Sequence, residues 1–205
     1  MPVDVRTLGV DLLSLSAHQF NGPKGIGALY VRLGTPIEPL LYGGQQERGL
    51  RPGTENIPSI VGLARALELA VGEVASRPSQ LSALRSRLEQ ALFRLIPGAR
   101  LNGPVTGRLP HILNIAFAGV EGESLLLALD AQGVCVSTGS ACASGETESS
   151  HVLRAMGIEP ALARGSLRFS VGLGNTPEQM DRAAGCAAQA IAQLRRASSL
   201  SGVAP

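Results

Sequence analysis

Apolar residues in this chain fall into two kinds of pattern. Short continuous runs stand at residues 12–15 and 26–31, and the second carries Tyr30 and Val31. Runs this short, with β-branched and aromatic members, predict strands rather than helices. Further strands are predicted at 112–117, 134–137 and 167–171. Longer stretches repeat at helical spacing. Ile60, Leu63, Ala64, Leu67 and Ala70 form one stripe, behind Asn56 as a cap and Pro58 in the first turn. Leu84, Leu88, Ala91, Leu92 and Leu95 mark a helix over 81–95 that Pro97-Gly98 would end. Helices are also expected at 123–131, with Glu123 and Ser124 in the first turn, from about Ser149 or Ser150, and at 177–194, with Glu178 near the start.

Between the first two runs lies Ser16-Ala17-His18-Gln19-Phe20-Asn21-Gly22-Pro23-Lys24-Gly25. A hydroxyl, an imidazole and backbone N–H groups meet in this corner, which is a way to hold a phosphate. An ordinary hairpin turn would use the same residues. Residues 34–53 are rich in glycine and proline and read as a surface loop. Gly53-Thr54 follows, and by itself fits a helix start that needs a hydroxyl. Residues 198–205 read as a frayed tail.

Composition narrows the classes. At 205 residues the chain can form one large domain or two small ones, with a proper core. A 44% hydrophobic content and a mean hydropathy of +0.18 suit a soluble globular protein. A net charge of +2 without a basic block argues against nucleic acid. No run of about 18 apolar residues is present to span a bilayer, and no basic-then-apolar leader opens the chain. Cys135, Cys142 and Cys186 match neither a disulfide framework nor a zinc pattern, so a reducing, cytoplasmic setting is expected, with no metal site. Of the 18 Lys and Arg residues only Lys24 is a lysine.

Two further stretches carry chemistry. Cys142 sits in Ser-Thr-Gly-Ser-Ala-Cys-Ala-Ser-Gly, where small residues predict the exposure and mobility a nucleophile needs. If that loop folds back onto the next helix start, the thiolate would be favoured. Cys135, on a predicted apolar strand, and Cys186, inside the last helix, read as buried small hydrophobes. His111, ahead of a strand, and His151, in a helical first turn, read as structural. Arg168 lies inside an apolar strand, which is costly unless it meets a cavity or an anion.

These motifs, in this order, resemble the cysteine desulfurases of the class-V aminotransferase group, which are fold-type-I pyridoxal-phosphate (PLP) enzymes. The likeness runs from Val3 to about Leu194 and rests on Ser-Ala-His-Gln-Phe-Asn-Gly-Pro-Lys-Gly, on Gly-Ser-Ala-Cys-Ala-Ser, and on the strand around Arg168. It implies an α/β fold: part of a PLP-binding large domain at 1–60, a bridging helix at 61–76, a small α+β C-terminal domain at 77–197 and the tail. It implies that Ser16, His18 and Thr54 bind the cofactor phosphate, Thr54 across a homodimer interface. Arg168 would grip the substrate carboxylate, and Cys142 would accept sulfur from L-cysteine as a persulfide and pass it to an acceptor or iron–sulfur scaffold protein. The length of the Cys142 stretch resembles the long-loop branch of the family.

The departure falls on Gln19. Family members carry there the lysine that holds PLP as a Schiff base. The family's N-terminal half, with its ring-stacking histidine and pyridine-nitrogen aspartate, has no counterpart here. Two readings follow: a cysteine desulfurase present as its C-terminal half and inactive alone, or a non-catalytic remnant or interaction module that binds desulfurase dimers or scaffold partners. In either case a homodimer or a complementary N-terminal half is the expected partner.

Overall fold

The computed structural model describes residues 2–138 and 150–200, with side chains to residue 198. They fall into two compact units that divide after Arg77. The architecture is α/β, and every strand pair among the described residues is antiparallel.

The first unit opens with a short helix, α1 (Val5–Leu8), capped by Asp4, whose carboxylate accepts from the Arg6 N–H. Strands β1 (Leu12–Ser16) and β2 (Gly27–Val31) then pair from Leu12 opposite Val31 to Ser16 opposite Gly27, where the two apolar runs predict them. Gly27 is required: a Cβ there would stand 2.5 Å from the Leu15 carbonyl oxygen. In the loop that follows, Glu47 and Arg48 both take left-handed conformations, with φ of 50° and 60°.

Helix α2 (Ile57–Gly72) begins where expected, since Asn56 accepts from the Ser59 N–H at 3.4 Å and Pro58 fits the first turn. Its inward face is turned from the expected stripe. Ile60, Leu63 and Ala70 are half-buried, but Ala64 and Leu67 are exposed and Ala66 takes the inward place. The helix falls within the first unit.

Helix α3 (Arg77–Leu95) starts at the boundary, and the second unit is built on a sheet of β3 (Ala99–Leu101), β4 (Ile112–Phe117) and β5 (Ser166–Ser170), in that order. Alternation along β4 and β5 sends Leu113, Ile115, Phe117, Leu167 and Phe169 to one face. Leu88 and Leu92 of α3 join them there, with Leu125 and Leu129 of α4 (Gly122–Asp130). Two short helices follow, α5 (His151–Ala155) and α6 (Pro160–Arg164), and α7 (Pro177–Leu200) closes the core with Met180, Ala184, Ala187 and Ile191. Arg87 of α3 and Asp181 of α7 form a two-pronged ion pair at 2.9 and 2.6 Å on the surface.

The strand expected at 134–137 is absent. Residues 131–133 turn tightly off α4, with the Val134 N–H donating to the Leu129 carbonyl. Among the described residues the chain then meets β5 at one pair, Ser137 opposite Arg168. Alternation survives without the ladder: Val134 and Val136 pack against the core and Cys135 points away. Cys135 is therefore exposed, not buried, because it holds the outward position of that alternation. Cys186 is half-buried against the core, as a small hydrophobe.

Candidate active site

Ser16 ends β1 and leads into a 3-10 turn at Ala17–Phe20. The Ala17 N–H donates to the Ile26 carbonyl at 3.1 Å, and the Ala17 carbonyl accepts from Gly22 at 2.8 Å. Asn21 completes the turn in a left-handed conformation, which asparagine tolerates better than most residues. Ala17 is fully buried. Small residues make that possible: a Cβ at Gly22 would come within 2.9 Å of the Ala17 Cβ, and one at Gly62 within 2.6 Å of the Pro23 ring. The turn and α2 meet almost backbone to backbone.

With Ala17 anchored, the next two side chains face outward. His18 and Gln19 are exposed, and Ser16 is half-buried with no capping bond from its hydroxyl. Thr54 is exposed as well and follows Gly53, whose φ of 104° suits glycine alone. Asn56, two residues on, starts the helix that supports the turn. Ser16, His18 and Gln19 thus share one corner, and Thr54 lies on the segment leading into its supporting helix.

A Schiff base needs an amine, and the Gln19 amide nitrogen is not nucleophilic because its lone pair is delocalised. Lys24 is exposed and comes five residues after Gln19 in the chain, beyond the left-handed Asn21 and Pro23. The residues present do not fit covalently held PLP. The hydroxyl and imidazole at the corner are groups that suit a phosphate.

Arg168 belongs to the second unit. On β5 it stands opposite Asn114 of β4, on the face away from the hydrophobic core. Its backbone is clamped on the other edge by Ser137, with N–H to O distances of 2.7 and 3.1 Å. The Arg168 Nε is shielded from solvent and has no hydrogen-bond partner among the described residues. A guanidinium donor held in this way calls for an acceptor brought from elsewhere.

The same face holds a polar network that sequence reasoning missed. The Asn102 amide donates to Asn114 Oδ1 at 2.7 Å and to Ser166 Oγ at 2.9 Å, and Ser166 donates to the Leu162 carbonyl at 2.8 Å. Ser166 is only 2% exposed, so these bonds meet its needs. A signal was available: Asn114 is the one polar residue within an otherwise apolar strand. His111 is half-buried, and burial holds its imidazole below the ordinary histidine range. Cys142 lies outside the described residues. Among the described residues no group of acidic, histidine or cysteine side chains could hold a metal ion, and no helix is long and apolar enough to cross a membrane.

With the corner and the Arg168 face in view, comparison with known proteins defines the class. Residues 1–183 match the family described as Aminotransferase class-V, and the chain belongs to that family. It is 50% identical over 200 residues to "Cysteine desulfurase IscS" of Methanosarcina thermophila, covering 98% of this chain and 49% of that protein. It is 49% identical over 195 residues to the protein of the same name from Dictyoglomus turgidum, covering 95% and 50%. Among solved structures, a "NIFS-like protein" superposes with a TM-score of 0.84 at 39% identity over 94% of this chain and 49% of that one. A NifS-like protein from Rickettsia africae gives 0.79 at 28% identity over 96% and 50%. The chain spans about half the length of the curated relatives it matches.

Proposed function

We propose that this chain is the C-terminal half of a cysteine desulfurase, a cytoplasmic PLP-dependent enzyme that removes sulfur from L-cysteine, and that it is inactive alone. Ser16, His18 and Thr54 bind the cofactor phosphate, Arg168 binds the substrate carboxylate, and Cys142 receives the sulfur as a persulfide for transfer to an acceptor or iron–sulfur scaffold protein. The observation that carries this reading is the shielded, unpartnered Nε of Arg168, the donor a carboxylate would engage. Gln19 favours the second reading, a non-catalytic remnant or interaction module, because it removes the amine.

Reconstitution with the N-terminal half of the Methanosarcina thermophila relative separates the two. The first reading expects sulfide release from L-cysteine by the reconstituted Gln19→Lys chain, with an added dithiol supplying the two electrons that reduce the persulfide to sulfide, abolished by Cys142→Ser. Arg168→Ala should lower kcat/KM roughly 10- to 150-fold, the loss of a hydrogen bond to a charged group. A reconstituted Gln19→Lys pair that binds PLP yet releases no sulfide would establish the remnant reading. For the unaltered chain, borohydride treatment with PLP should fix no pyridoxyl on Gln19 and at most a trace on Lys24. Sulfide release by the unaltered chain above that of free PLP would overturn the proposed inactivity.

A further inference from the structure

A second set of unsatisfied donors lies between α3 and the 102–111 connection that joins β3 to β4. Arg85 and Glu89 stand one helical turn apart on α3, so their side chains share a face. Arg108 comes from the connection. Its Nη2 donates to Glu89 Oε2 at 2.5 Å, and both side chains are largely buried, at 15% and 13% exposure. Arg85 Nη1 donates to the carbonyl of Leu109, the residue after Arg108, at 3.0 Å. One bond runs from the connection to α3 and the other from α3 to the connection, so both guanidinium groups lie along the same seam.

Three donors are left over. Arg85 Nε, Arg108 Nε and Arg108 Nη1 are all shielded from solvent and have no partner among the described residues. Two guanidinium groups against one carboxylate leave one positive charge in excess. Burial lowers the Arg85 pKa, the Arg108 charge lowers it further, and Glu89 opposes the shift. Guanidinium groups offer donors and no acceptor. A water molecule would bring its own donors and no charge. A group with several acceptor oxygens and negative charge answers both deficits.

We propose that Arg85 and Arg108 form an oxyanion site in the second unit, with Glu89 as the positioning residue that orients Arg108. The ligand class is a small oxyanion, phosphate, sulfate or carboxylate, free or carried on a larger molecule. The site lies on elements other than β5 and does not depend on the desulfurase reading.

Calorimetric titration of the full chain with inorganic phosphate, sulfate and acetate, in a chloride-free zwitterionic buffer, tests this. Saturable binding is expected, with phosphate or sulfate over acetate identifying a doubly charged ligand and the reverse a carboxylate. Arg108→Gln should weaken it at least tenfold. Glu89→Gln keeps an amide oxygen to accept from Arg108 and so preserves its orientation, but should strengthen binding about threefold or more because a competing negative charge is removed, whereas a purely structural ion pair predicts no gain. The triple variant Ser16→Ala, His18→Ala, Arg168→Ala should keep the binding, which separates it from the other anion-binding residues. Absence of saturable binding of all three anions to the unaltered chain would overturn the proposal. So would affinity unchanged in Arg108→Gln, or affinity not raised by Glu89→Gln. Should Arg108→Gln fail to fold by circular dichroism, Arg85→Gln takes its place with the same expectation.

Discussion

In the second unit, facing side chains of a three-stranded sheet and three helices close a core in which Ile115, Phe117, Leu125 and Leu167 are fully buried. In the first unit, among the described residues, Ala17 alone is buried to that degree. The difference is not one of composition. Leu33, Leu40 and Tyr42 of the first unit are at least 85% exposed, and Leu29 and Val61 are more than half exposed. These apolar side chains have nothing in the described chain to cover them. A two-stranded hairpin with one long helix and one of a single turn cannot enclose a core, whereas a third strand with helices on its face can. The consequence for the site is unequal support. Arg168 stands on a sheet held by a core, while Ser16, His18 and Gln19 stand on a turn held by one buried alanine and a seam of small residues.

The largest contrast should appear on truncating core residues. Ile115→Ala should cost about 2–5 kcal/mol, from lost burial and the cavity left behind, and Leu29→Ala within about 0.5 kcal/mol. Urea denaturation followed by circular dichroism measures both, and equal losses would break the comparison. Next in size is the seam. Gly62→Ala pushes a methyl into the Pro23 ring and should cost about 1–3 kcal/mol. Its effect should appear as faster amide exchange at residues 17–22 with residues 112–117 unchanged. Spread of that effect into β4 would show that the two units are not energetically separate.

Smaller effects sharpen the picture within the second unit. Iodoacetamide should label Cys135 at least tenfold faster than Cys186, since the first faces solvent and the second packs on the core; peptide mapping decides it. His111 should give the smallest effect. Its folded-state pKa lies below the ordinary value of 6.5, so the unfolded chain binds the proton more readily. Its contribution is therefore fully present above about pH 6.5 and is lost as pH falls through the folded value. Melting temperatures between pH 7.5 and 5 should fall less steeply in His111→Gln.

Much of the second unit was legible because its elements are long or regular. Alternation in residues 112–117 and helical spacing in residues 81–95 each leave a clear signature. Shorter elements leave none: β3 has three residues with Arg100 at its centre, and α1 has four. Cys135 was misread because its apolar neighbours Val134 and Val136 are the inward positions of an alternation in which it is the outward one. The α2 face was misread because Gly22 and Gly62 set which side can approach the corner, and glycine contributes nothing to an apolar stripe. In the site, the placement of Ser16, His18 and Gln19 on one turn and of Arg168 on a strand was readable from residue pattern. The Asn102–Asn114–Ser166 network and the Arg85–Glu89–Arg108 cluster were not, because each joins residues distant in sequence through the sheet connections.

The loop at Glu47 and Arg48 has a consequence for how this sequence can drift. Two successive side chains in left-handed conformation each carry a steric cost of about 1 kcal/mol that glycine would not. Mutational wandering there is filtered by handedness before it is filtered by charge. Lineages descending from this chain should accept Gly, Asn or Asp at 47 and 48 freely and reject Val and Ile, even though both positions are open to solvent.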